Sequence, residues 1–121
     1  MFMDVYVGFF DDTFDWGGWS SVGNAPTRRS PFFPDGRKAN DELQDRIKAG
    51  VYEGRQVDWG AWVAKVNRQQ ILDFIKSVYS EAEVAGWAKS SPHWKVRHDE
   101  LVAFVETLDP NANYALTASE L

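Results

Sequence analysis

The first apolar pattern in the chain is an alternation over residues 2–10. Met3, Val5, Val7 and Phe9 fall on one face of an extended segment, with Phe2, Tyr6 and Phe10 on the other beside Asp4 and Gly8. A strand apolar on both faces belongs inside a sheet and leaves both edges to strands later in the chain. From residue 11 to residue 40 no period of two or 3.6 is sustained. Turn formers recur there at Gly17-Gly18, Gly23-Asn24, Pro26, Pro31 and Pro34-Asp35-Gly36, so the stretch reads as one long loop. Phe14, Trp16, Trp19, Phe32 and Phe33 within it argue against disorder, because disordered segments are poor in rings and rings are costly to leave in water.

Helical spacing begins after the loop. Asn40 or Asp41 is placed to cap a short helix through residue 49, with Leu43 and Ile47 on one face and Gly50 as its stop. Residues 57–66 read as a second strand, bounded by Gly54 and Asn67. Asn67-Arg-Gln-Gln70 has the form of a capping box, which starts a helix at Arg68. In that helix Ile71, Leu72, Phe74, Ile75, Val78 and Tyr79 share one arc, opposite Asp73, Lys76 and Ser80, as in a helix laid on a sheet. Residues 81–89 continue as a second helical piece ended by Ser90-Ser91-Pro92. Residues 97–108 give another helix, with Leu101, Phe104, Val105 and Leu108 inward and Asp99, Ala103 and Glu106 outward. Tyr114, Leu116 and Ala118 share a face of a last strand over 114–121.

This order predicts an α+β fold in one domain spanning residues 1–121. A small, mostly antiparallel sheet of about three strands is covered on one side by two or three helices, and the long aromatic-rich loop follows the first strand.

Charge narrows the partners. The 121 residues carry 18 Asp and Glu against 13 Lys and Arg, a net charge of −5, which repels nucleic-acid phosphate and attracts a basic protein. Most of that excess lies beyond residue 80. With no cysteine there is no disulfide framework or thiolate chemistry, as suits the cytoplasm. The apolar start lacks the basic segment of a signal peptide, and no apolar run approaches the ~18 residues of a membrane span, so neither export nor insertion is expected.

Chemical motifs are sparse. Asp11, Asp12 and Asp15 follow a strand end, where carboxylates often hold hard cations, but aspartates also end strands by bonding nearby backbone, and calcium-loop spacing is absent. His93 and His98 are five apart and do not share a helix face as a zinc pair would. No nucleophile elbow surrounds Ser20, Ser21 or Ser30, and the glycines form no phosphate-binding loop. No metal, cofactor or catalytic residue is assigned. Arg28-Arg29 and Arg37-Lys38, beside Phe32 and Phe33, are a small basic group. Six tryptophans, including Trp16, Trp19, Trp59 and Trp62, exceed what a core of this size needs. They form either a minor core under the loop or anchors for a partner.

The expectation is a small acidic, tryptophan-rich, non-enzymatic binding protein of the cytoplasm. It would be an inhibitor or immunity-type module of bacterial or phage kind that blocks a basic protein. The binding residues expected are Trp16, Trp19, Arg28, Arg29, Trp62, Asp99 and Glu106. The alternative is an enzyme or ligand-binding domain whose pocket lies between the 11–40 loop and the sheet.

Overall fold

The opening alternation forms strand β1 (Asp4–Phe9), whose Val5 and Val7 are fully buried on one face and whose Tyr6 is buried on the other. The computed structural model describes residues 4–10, 26–56 and 61–119. Within them follow β2 (Thr27–Arg28), α1 (Gly36–Lys48), β3 (Glu53–Gln56), β4 (Trp62–Asn67), α2 (Arg68–Val78), α3 (Glu81–Ser90), α4 (Pro92–Glu106) and β5 (Asn113–Ser119). The fold is α+β. Its sheet has the order β2-β1-β5-β4-β3, with every neighbouring pair antiparallel and β2 a two-residue stub. β1 is thus an interior strand, and both edges come from later in the chain.

Register sorts the two faces. Val5 opposite Ala118, Val7 opposite Leu116, and Ala64 opposite Leu116 point toward the helices. There they join Leu43, Ile71, Phe74, Leu101 and Val105 in one core to which all four helices contribute. Phe74 at its centre meets the Phe33 ring at 5.8 Å and the Tyr52 ring at 6.3 Å. On the opposite face Ala61, Val63 and Ala115 pack with Phe10, and the Tyr6 hydroxyl donates to the Pro26 carbonyl at 3.0 Å.

Four boundaries differ from those the pattern suggests. The sheet exceeds three strands because β3 is a polar edge, Glu-Gly-Arg-Gln, with no alternation to announce it. Of the strand read over 57–66, β4 (Trp62–Asn67) is the second half of a hairpin in which Gln56 pairs with Trp62, and residues 57–60 lie outside the described ones. α1 begins at Gly36, not after Asn40. Its N-cap Asp35 has a positive φ of 46° and makes no side-chain cap bond, while Asn40 is buried inside the helix and accepts from Gln44. α4 begins at Pro92, because a proline that cannot continue one helix fits the first turn of the next. The 11–40 loop therefore contains β2 and the start of α1; residues 11–25 lie outside the described ones.

α2 begins at Arg68 as its capping box requires. Asn67 Oδ1 accepts from the Gln70 N–H at 2.8 Å, and Gln70 Oε1 accepts from the Asn67 N–H at 2.9 Å. Gly50, with φ 78°, follows α1 in the left-handed conformation that suits glycine. Among the described residues no helix is long and apolar enough to cross a membrane.

Candidate functional site

α2, α3 and α4 do more than cover the sheet, because they leave a groove between them. Its placement starts at two helix caps. The Asn67 box sets the start of α2, and a second box, in which Ser80 Oγ accepts from the Glu83 N–H at 3.1 Å, sets the start of α3. α4 then runs back along α2. At one end the Arg68 guanidinium of α2 donates to the carbonyl oxygens of Glu106 and Leu108, both at 3.4 Å. At the other end Tyr79 and His98 lie edge to face, with ring centroids 6.1 Å apart. The two helices are therefore antiparallel.

Rings stiffen that second end. Trp87 of α3 sits 5.3 Å from Tyr79, 5.6 Å from Trp94 and 6.1 Å from His98. Such edge-to-face pairs add roughly 0.5–1.5 kcal/mol beyond area burial. The Tyr79 hydroxyl donates to the Pro34 carbonyl. A buried phenol is hard to ionise, and burial pushes the Tyr79 hydroxyl well above the usual tyrosine range.

The groove has a volume of about 450 Å³. Leu72 and Ile75 of α2, Val84 and Ala85 of α3, Val102 of α4 and the Tyr79 ring form its apolar walls, and Lys76, Glu81, Lys95, His98 and Glu106 carry its polar atoms. The charges differ in their engagement. Lys95 Nζ bonds Asp99 Oδ2 at 2.5 Å, and His98 Nδ1 lies 3.0 Å from Asp99 Oδ1. Lys95 first and His98 second hold the Asp99 carboxyl below the usual carboxylate range. Among the described residues neither Glu81, Glu106 nor Lys76 makes an ion pair.

The residues singled out from the sequence scatter. Glu106 lines the groove, and Asp99 stands at its edge through Lys95 and His98. Arg28 is exposed on β2, donating to the Ser30 carbonyl at 2.9 Å with its guanidinium 4.6 Å from the Phe32 ring centre. Arg29 is exposed 5.8 Å from the Phe9 ring. Trp62 is half-buried against the core under the Lys48 ammonium, 5.4 Å from its ring. None of these three lines the groove. Lys38 instead pairs with Glu83 at 2.9 Å. Trp16, Trp19, Trp59, Asp11, Asp12 and Asp15 lie outside the described residues. Among those described, no group of three or more His, Asp or Glu is placed to hold a metal ion.

Glu81, Val84, Ala85, Lys95 and Val102 line the groove but were not singled out from the sequence. Val102 falls off the inward stripe of Leu101, Phe104, Val105 and Leu108, and the short 81–89 pattern offers no stripe to read. No family model matches the chain, and neither does any curated protein or solved structure.

Proposed function

We propose that this protein is a non-enzymatic binding module that blocks a basic protein partner, in the manner of an inhibitor or immunity protein. The observation that carries the reading is the pair of carboxylates, Glu81 and Glu106, that stand without an ion pair among the described residues beside an apolar groove. Apolar area supplies affinity, while unpaired charge around it selects the partner and speeds encounter. The net charge of −5 acts in the same sense at longer range. A cysteine-free composition supports a cytoplasmic setting.

The test is capture from a bacterial lysate on the immobilised protein, at low and raised salt, beside the double variant Asp99→Lys, Glu106→Lys. Both side chains are exposed, so the variant is expected to fold, as circular dichroism would verify. The expected result is a basic protein whose association slows in the variant and weakens with salt, since the screening length is ~8 Å at physiological ionic strength and shrinks above it. Capture indifferent to both salt and charge reversal, or no capture at all, overturns the reading.

A further inference from the structure

We infer that the groove takes an amphipathic helix whose apolar face is flanked at both ends by Lys or Arg. The inference rests on the protein-binding reading above and names the segment of the partner that docks. The antiparallel run of α2 and α4 sets the length. Lys95 stands near one end of the groove and Glu106 at the other, 11 positions along α4, so the groove extends about 16 Å at 1.5 Å per residue, or about three turns of a docked helix. A helix of that length offers side chains at i, i+4 and i+7 to one face, which matches walls built from Leu72, Ile75, Val84 and Val102.

Charge fixes the flanks. Glu106 marks the end where Arg68 meets the α4 terminus, and Glu81, in the first turn of α3, marks the end beside Tyr79. These two carboxylates, without an ion pair among the described residues, therefore bracket the apolar floor, one at each end. Lys95 does not oppose a basic flank, because Asp99 takes its charge at 2.5 Å. Lys76 is a rim cation with no ion pair among the described residues, and it accommodates one acidic position between the basic flanks. An acidic or uniformly apolar helix would leave Glu81 and Glu106 without partners.

The probe is a synthetic 14-residue helical peptide with Leu at i, i+4 and i+7, one Glu between them and Lys at both ends. Two controls replace the Lys by Glu, or scatter the Leu around the helix. Fluorescence anisotropy of the labelled peptides should show saturable binding of the first and at least tenfold weaker binding of both controls. The double variant Glu81→Gln, Glu106→Gln should weaken the first peptide about three- to tenfold, the range expected for two rim charges, and raised salt should shrink that difference. Ala85→Arg, an exposed wall position whose change leaves the core intact, should abolish binding by filling the groove. Equal binding of the Lys and Glu peptides, no binding of any peptide, or binding unaffected by Ala85→Arg overturns the inference. A basic protein captured from lysate separates the two readings. If it binds the Ala85→Arg variant undiminished but remains sensitive to Asp99→Lys, Glu106→Lys, the groove inference fails while the binding-module reading stands.

Discussion

The Tyr79 hydroxyl donates its proton to the backbone carbonyl oxygen of Pro34, fastening the end of α2 to the segment that leads into α1. Both residues are buried, so no water can replace the bond. Tyr79→Phe should keep the ring packing and strand the Pro34 carbonyl, at a cost of about 1–3 kcal/mol. A lowered urea midpoint with an unchanged slope is the expected reading. An unshifted midpoint would show that the bond adds nothing.

Alkaline pH should act through the same residue. Burial raises the Tyr79 pKa, and it also raises those of Tyr6 and Tyr52. A group whose folded-state pKa exceeds its unfolded value contributes stability that is fully present below the unfolded pKa, about 10 for tyrosine, and is lost as pH climbs through the folded value. Urea midpoints should therefore fall above about pH 10, and fall less steeply in Tyr79→Phe. Parallel curves for the two proteins would remove Tyr79 from the explanation.

Phe74 tests the core beneath α2. It is fully buried between Phe33 and Tyr52, and Phe74→Ala should cost about 3–5 kcal/mol. Lys76→Ala, two residues on and exposed, should cost less than about 0.5 kcal/mol. Similar midpoints for the two variants would contradict the packing.

Two glycines should respond with opposite signs. A Cβ at Gly54 in β3 would come within 2.6 Å of the Val63 carbonyl oxygen and 3.0 Å of the Ala64 Cα, both backbone atoms that cannot step aside without disturbing the hairpin. Gly54→Ala should lose about 1–3 kcal/mol. Gly86 faces open space in α3, where alanine is the better helix former, and Gly86→Ala should gain about 0.5–1 kcal/mol. Melting temperatures that move in the same direction would contradict this account.

What the sequence discloses follows from where its physics is local. The α2 start was legible because the Asn67 and Gln70 side chains bond backbone within one turn, and the β1 alternation was legible because both of its faces are buried. The α1 start was not, since Asp35 caps by backbone conformation alone and leaves no side-chain signature. Pro92 is ambiguous in sequence, because the same ring ends one helix and opens another. β3 is an exposed edge and so has no hydrophobic pattern to read. Of the groove, the outward position of Glu106 was readable from helical spacing. That Val84 and Val102 converge on Leu72 depends on how three helices are set against one another, which no local pattern encodes.

The pairing of β1 with β5 joins Asp4 to Ser119, with nearly all of the chain between them. That contact is among the most non-local a chain of this length can make, and closing so long a loop slows folding relative to a helical bundle of equal size. During synthesis β1 precedes β5 by nearly the whole of this stretch, so the edge that β5 occupies stays unpaired until residues 113–119 leave the ribosome. A nascent chain stalled before that point would expose β1 and β4 as two unpaired apolar edges, the kind of surface that chaperones hold and that aggregates recruit.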